Sequence, residues 1–138
     1  MSNPVSTLWS AVDASIAANR TTLGITDSAR GEAGKASTLR APGVISWVDF
    51  ESAVIDTHAG KPVSISAKCL VFCVGAGGTS AAAAVDSTLE IALAVVALLA
   101  GASLGGTVLV LASNPLDIIE ANANRPVISV TFDCVVPL

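Results

Sequence analysis

The residues with the clearest chemical potential lie in one glycine-rich stretch, Val74-Gly75-Ala76-Gly77-Gly78-Thr79-Ser80-Ala81. An apolar strand pattern precedes it and a long apolar helix pattern follows it. In that context glycines let backbone amides approach a pyrophosphate at the helix N-terminus. Two features of such a site are missing: Ser80 stands where the third fingerprint glycine belongs, and no carboxylate ends the next strand, about 20 residues further on. The turn is therefore predicted to be a flexible connection between strand and helix. The alternative is a small nucleotide-binding α/β protein that uses the Gly75–Gly78 turn.

Three cysteines, Cys69, Cys73 and Cys134, occur within apolar strand patterns. The spacing Cys69-x-x-x-Cys73 differs from the C-x-x-C spacing of redox and zinc motifs, and an odd number of cysteines does not indicate a secreted disulfide framework. We predict buried free thiols, which pack as small apolar side chains. The alternative is a disulfide between subunits, which requires oxidising surroundings.

Acid–base chemistry has few candidates. Asp56 and His58 are close in sequence, and Asp86 and Glu90 lie four residues apart on one face of the predicted helix. A lone histidine in a turn has no partner set for a metal, and no G-x-S-x-G elbow is present. Carboxylates on so apolar a helix are typical of its solvent or interface face. We predict a protein that is not an enzyme, with no catalytic residue, no cofactor and no metal site.

The composition of the chain limits the class of partner. Its 138 residues are 52% hydrophobic and 13% charged, with a net charge of −4. The length corresponds to one domain, and so apolar a chain favours an oligomer that covers the surplus apolar surface. The absence of a lysine-rich run argues against specific nucleic-acid binding, which needs clustered phosphate contacts. Residues 81–100 are long enough to cross a bilayer, but two carboxylates within them predict a buried helix and no membrane contact.

The elements that position these residues follow from periodicity. Apolar residues at three- and four-residue steps predict a helix over residues 4–19. Alternating patterns predict an antiparallel hairpin of residues 44–57 and 62–74. The remaining predicted elements are a helix over 81–100, a strand over 107–112, a breaker at Asn114-Pro115, a single turn or bent edge strand over 116–121, and a strand over 126–136. The predicted fold class is α+β, a mainly antiparallel sheet of about four strands packed by an N-terminal helix and one long central helix, in a single domain over residues 1–138.

Residues 20–41 show no period and are rich in Thr, Ser, Gly and Ala. We predict an extended loop, either a surface loop or an arm that orders against a neighbouring subunit. Its mixed charges suit a protein partner better than DNA. The candidates for subunit contacts are Arg30, Glu32, Lys35 and Arg40 in this segment and Asp56, His58 and Lys61 near the hairpin turn.

The layout of the whole chain resembles that of the phage tail terminator (tail completion) proteins, in particular the small Mu-like type of contractile-tailed phages. The resemblance is carried by five stretches: Val5-Ser6-Thr7-Leu8-Trp9, Leu39-Arg40-Ala41-Pro42-Gly43-Val44-Ile45, the strand Val63 to Val74, the helix from Ser87-Thr88-Leu89-Glu90 through Leu99-Ala100-Gly101, and Pro126-Val127-Ile128-Ser129-Val130-Thr131-Phe132.

The resemblance implies a small fold with a helix-covered sheet, assembled as a hexameric ring. Such rings cap the tail tube, stop its polymerisation and join it to the neck, without a reaction or a cofactor. The implied partners are further copies of the chain, the tail tube and/or sheath protein, and a neck or connector protein. The implied location is the virion, after assembly in the host cytoplasm. A tail-tube or head–tail connector subunit is the alternative within the same class.

Overall fold

The computed structural model describes residues 3–31, 40–76, 80–120 and 126–138. Its helices are α1 (Pro4–Ala18), α2 (Arg20–Leu23) and α3 (Ala81–Leu99). Its strands are β1 (Asp27–Arg30), β2 (Gly43–His58), β3 (Lys61–Val74), β4 (Ser103–Leu104), β5 (Thr107–Glu120) and β6 (Val127–Pro137).

The strands form one sheet in the order β1-β2-β3-β6-β5-β4. Neighbouring strands are antiparallel, except that β1 and β2 are parallel. The predicted α+β class and the antiparallel hairpin are confirmed, but the expectation of about four strands is wrong, because the described residues form six. The two additional strands, β1 and β4, are four and two residues long. Strands this short show no period, and their pairing depends on the long strands beside them.

Helices α1 and α3 cover one face of the sheet and enclose the main core. Helix α1 buries Val5, Leu8, Val12 and Ile16, which is the stripe that the sequence predicts. From the sheet, the odd-numbered residues of β3 and the even-numbered residues of β6 point into this core: Ala67, Cys69, Val71, Cys73, Ile128, Val130, Phe132, Cys134 and Val136.

Both long helices begin where the local chemistry favours a helix start. Asn3 caps α1, because its Oδ1 accepts a 2.7 Å hydrogen bond from the Ser6 N–H. Ser80 caps α3, because its Oγ accepts a 3.2 Å hydrogen bond from the Ala83 N–H. Gly101 follows the end of α3 with a φ of 77°, the left-handed conformation expected of a glycine that ends a helix.

Strand β5 runs through Asn114-Pro115, so the predicted break there is wrong. The pairing with β6 instead shifts register between Leu111 and Leu116. Proline is tolerated at this point because β4 pairs only with the first two residues of β5, which leaves the rest of β5 as an edge strand. Of the two forms predicted for residues 116–121, the bent edge strand is confirmed up to Glu120.

The segment predicted as a loop over residues 20–41 is corrected in its first half. Residues 20–23 form α2 and residues 27–30 form β1. Leu23 and Ile25 are buried in the main core. Each element is only four residues long, too short to show a period. Residues 32–39 lie outside the described part of the chain, so the arm expected there stays a prediction.

Candidate assembly surfaces

The sheet face opposite α1 and α3, here called the open face, carries no helix among the described residues. Side chains alternate along a strand, so the even-numbered residues of β3 and the odd-numbered residues of β6 lie on it. At the end of the sheet near Val74, Ile45, Phe72 and Val127 join Val74 in a second, smaller buried cluster. The side chains at this end of the open face are therefore buried.

The other end of the open face is exposed and apolar. Val54, Val108, Val110 and Val135 are each between 51% and 58% exposed. Two shallow cavities of about 250 and 460 Å³ lie among these valines and share Asp133 and Val135 as lining residues. This part of the sheet is a shallow apolar valley.

One ion pair crosses the floor of this valley. Lys68 Nζ lies 3.4 Å from Asp133 Oδ1, and both side chains are about half exposed. Exposed pairs of this kind contribute at most about 1 kcal/mol to stability. Because its two charges cancel, the net charge of the valley is close to zero. The pair itself contributes little to the free energy of folding.

The end of the β2–β3 hairpin carries three of the predicted contact residues. His58 and Lys61 are the last register pair before the two-residue turn, and both are exposed. Neither side chain has a hydrogen-bond or ionic partner within the described part of the chain. Asp56 is engaged inside the subunit, where its Oδ2 accepts hydrogen bonds from Ser66 Oγ at 2.6 Å and Ser64 Oγ at 3.3 Å. Asp56 therefore stiffens the hairpin, while His58 and Lys61 are available to a partner.

Arg30 lies where the chain leaves β1. Its guanidinium carbon is 4.3 Å from the centroid of the Trp9 ring, a cation–π contact, and Trp9 meets Trp47 edge-to-face at 5.5 Å. The Ser46 carbonyl accepts hydrogen bonds from Trp9 Nε1 at 3.1 Å and from the Gly31 N–H at 2.9 Å. These contacts hold the end of β1 and residue 31 against α1 and β2.

Arg40 is the first described residue after residues 32–39. Its backbone N–H donates a 3.1 Å hydrogen bond to Asp27 Oδ2, and its side chain is exposed. Arg30 and Arg40 are therefore brought to the two ends of one short strand, β1, which the sequence did not predict. Glu32 and Lys35 lie outside the described residues, so their predicted role as contacts is untested.

The start of the glycine-rich stretch is occupied by an internal contact. The Gly75 N–H donates a 3.1 Å hydrogen bond to Thr88 Oγ1 on α3. A Cβ on Gly75 would lie 2.5 Å from Thr88 Oγ1 and 2.8 Å from Thr88 N. Only glycine lets the strand end approach the helix this closely. Gly77 and Gly78 lie outside the described residues, but the amide of Gly75 already has a partner and is not free to bind a phosphate.

The three cysteines are free and buried, which confirms the prediction of buried thiols. Burial raises the pKa of Cys69 to about 12, with a smaller contribution from Cys134 beside it. Burial likewise raises the pKa of Cys73 to about 12 and that of Cys134 to about 11. Thiolates are the reactive form of cysteine, so all three side chains are packing groups in the folded protein.

Among the described helices, α3 is the one that is long and apolar enough to cross a membrane, judged by length and composition. One side of it packs on the sheet through Ala84, Thr88, Ile91, Ala92, Val95 and Leu99. Asp86 and Glu90 are exposed, as predicted. This is the placement of a helix that covers a core.

Sequence reasoning missed the long edge of β5 as a candidate surface. Five exposed branched aliphatic residues lie on this strand: Val108, Val110, Leu111, Leu116 and Ile118. Natural edge strands are usually protected by lysines or by shortness, whereas β5 has fourteen residues and no lysine. The sequence does carry a signal for this surface, because apolar residues occur on both faces of β5 while few charged residues lie along it.

Comparison with known proteins adds one finding. Neither a scan against protein-family models nor a search of curated proteins gives a match. Among solved structures, the chain is similar to one from the "Virion of native gene transfer agent (GTA) particle", with a TM-score of 0.68 and 17% sequence identity over 100% of both chains. The α+β fold described above is therefore similar to that of a chain from this virion particle, over the full extent of both chains.

Proposed function

We propose that this chain is a structural subunit of a phage-type virion, and that it forms a ring that caps the tail tube and joins it to the neck. The observation that carries the proposal is the likeness of fold, over all of both chains, to a chain of a gene transfer agent virion. The resemblance of the sequence layout to tail terminator proteins narrows the role within the virion. No catalytic step belongs to this role.

The surface properties of the subunit fit assembly. The apolar valley on the open face, the exposed hairpin and the long edge of β5 all carry exposed branched aliphatic side chains, which contact with another copy would cover. Head-to-tail contacts between copies form a closed ring when the rotation from one subunit to the next is a whole fraction of a full turn. The proposed homo-oligomer is a hexamer, and the further partners are the tail tube or sheath protein and a neck protein.

The contact residues proposed within this ring are Arg30, Arg40, Asp56, His58 and Lys61. His58 and Lys61 are the strongest of them, because they are exposed at the hairpin end without an internal partner. Arg30 and Arg40 would contribute through the segment that they flank. Asp56 would act by holding the hairpin in shape.

The test is the size and form of the assembled protein. Purified chain is measured by light scattering after size exclusion and imaged by negative stain, alone and mixed with purified tail tubes. We expect single rings of a defined subunit number that bind to one end of a tube and prevent its further growth. Long stacked tubes formed by the chain alone would instead indicate a tube subunit.

A charge reversal supplies the matched control. Lys61→Glu at the hairpin end should weaken ring formation, while Arg20→Glu on α2, an exposed position outside the valley, the hairpin and β5, reports the general effect of the same charge reversal. A chain that stays monomeric at high concentration and in the presence of tubes would overturn the proposed function.

A further inference from the structure

Two groups of exposed apolar residues lie along opposite edges of the described sheet, and the exposed Val135 on β6 lies between them on the open face. The first, here called the hairpin patch, consists of Val54, Ile55, Val63 and Leu138. The second, here called the β5 edge, consists of Val108, Val110, Leu111, Leu116 and Ile118 on β5. Two strands, β3 and β6, separate β2 from β5 in the sheet.

Along the strands, Val110 pairs with Asp133 and lies toward the same end as Val54, whereas Leu116 and Ile118 lie toward the opposite end. Ser64, beside the hairpin end, is in register with Pro137 at the end of β6. Leu116 and Ile118 are in register with Val130 and Ile128, near the start of β6. The far part of the β5 edge is therefore placed diagonally across the sheet from the hairpin patch, and the two cannot meet within one subunit.

The β5 edge has the properties of a strand that accepts another chain. Its outer backbone groups have no strand partner beyond Val108 within the described part of the chain. Its exposed side chains lie on both faces of the sheet, since Val110 faces the open side and Leu111 the side of the helices. A partner that adds in the plane of the sheet would cover the edge and both rows together.

The two patches differ in their charged groups. From residue 69 to residue 124 the chain contains no lysine or arginine, so β5 carries only acidic charge, including the exposed Asp117. The hairpin end carries one cation, Lys61, and one anion, Asp56, whose Oδ2 accepts hydrogen bonds from Ser64 and Ser66. A contact between β5 edges of two copies would bring only like charges together, whereas at the hairpin end the exposed Lys61 offers β5 a cation.

We propose that the β5 edge is the receiving surface for the hairpin patch of a second copy of this chain. The contact is head-to-tail, because it uses different surfaces of the two subunits, and each subunit offers both. That such contacts close into a ring rests on the proposed function. Which two surfaces meet is the new inference.

Disulfide capture tests the pairing directly. The native cysteines are buried and free, so introduced cysteines can be oxidised selectively. Leu116→Cys protein is mixed with Ile55→Cys protein and oxidised, and each variant is also oxidised alone. We expect cross-linked dimers only in the mixture, and a ladder of multimers when both substitutions are in one chain. Dimers from Leu116→Cys alone would overturn the proposal in favour of a two-fold contact between β5 edges.

A pair of lysine substitutions tests the same contact without cross-linking. Ile118→Lys on the β5 edge and Leu93→Lys on α3 both alter residues that are about half exposed, so neither should unfold the subunit. We expect Ile118→Lys to weaken assembly on the order of 100-fold in apparent Kd, and Leu93→Lys to change it little. If Ile118→Lys leaves ring formation unchanged and no cross-link to residue 55 forms, the proposed contact is wrong, while the proposed ring function stands. A wild-type chain that never assembles overturns both.

Discussion

The hydroxyl of Thr88 links the end of β3 to helix α3. It accepts a 3.1 Å hydrogen bond from the Gly75 N–H and donates a 2.8 Å hydrogen bond to the Ala84 carbonyl. The glycine is needed because a side chain on residue 75 would overlap the Thr88 backbone. The glycine-rich stretch, which resembles a phosphate-binding turn in sequence, thus begins with an internal packing contact.

Gly75→Ala should lower the free energy of unfolding by about 1–3 kcal/mol, because the added methyl must push β3 and α3 apart. Thr88→Val should cost a similar amount, about 1–3 kcal/mol, because it leaves the buried Gly75 N–H without an acceptor. Ser87→Ala is the control on the less buried neighbouring residue, with an expected loss below about 1 kcal/mol. Urea unfolding measures all three. A Gly75→Ala protein as stable as the wild type would contradict the close approach.

The turn of the β2–β3 hairpin holds an alanine in a strained conformation. Ala59 has a φ of 52° and Gly60 a φ of 78°, the pattern of a type I′ turn, in which Asn-Gly is favoured. Ala59→Asn should therefore raise the free energy of unfolding by about 0.5–1 kcal/mol. Gly60→Ala, at the adjacent position, should lower it by about 1 kcal/mol. Thermal unfolding of the two variants should shift in opposite directions, and a shift of both in one direction would rule out this turn geometry.

The buried thiols make stability fall in alkaline solution. Their pKa values are raised by burial from 9.0 in the unfolded chain to about 12 for Cys69 and Cys73. Below pH 9 the folded and unfolded chains both hold the protons, so the stability is fully present. Above pH 9 the unfolded chain releases them first, and each thiol should cost about 1.4 kcal/mol per pH unit until its folded pKa is reached.

Urea midpoints from pH 8 to pH 10.5, measured with a reductant, check this slope. Cys73→Ala is the control, because it should reduce the slope even though the cavity lowers stability at every pH. A slope unchanged by Cys73→Ala would assign the alkaline loss to other groups. In the folded protein at pH 8, thiol reagents should react only as fast as the chain unfolds.

The segment of residues 32–39 is predicted to act in assembly and not in folding. Its two ends are held by the Gly31–Ser46 and Arg40–Asp27 hydrogen bonds. Replacement of residues 32–39 by a Gly-Ser linker of the same length should leave thermal unfolding nearly unchanged and weaken ring formation. Deletion of residues 22–38 should abolish folding, because it also removes buried Leu23 and Ile25 and the strand between them and Arg40. Normal ring formation by the linker variant would show that the segment is not a contact.

The sequence predicts the long elements because each repeats its pattern often enough. The apolar stripe of α1 and the strand patterns of β3 and β6 belong to elements of eleven residues or more, and the structure confirms these three elements. The α+β class and the buried cysteines follow from the same patterns. The turn position at residues 59–60 follows from the composition of residues 58–62.

Other features depend on partners that are distant in sequence. Strand β1 pairs in parallel with β2, and nothing in Asp-Ser-Ala-Arg announces that pairing. Pro115 reads as a breaker, yet it is accommodated at a register shift on an edge strand. Charged residues in loops and turns predict candidate contacts, whereas the exposed apolar edge of β5 is not predicted, because a run of aliphatic residues usually indicates burial.

The place of β6 in the sheet has a consequence for the order of folding during synthesis. This strand lies between β3 and β5 and is made after both, and its Asp133 pairs with Lys68 across 65 positions of the chain. Until β6 leaves the ribosome, β3 and β5 lack their shared neighbour, and their apolar rows are open to other nascent chains. We therefore expect ribosome-bound chains that stop before residue 127 to require a chaperone to stay soluble, and to become compact in one step once β6 is added.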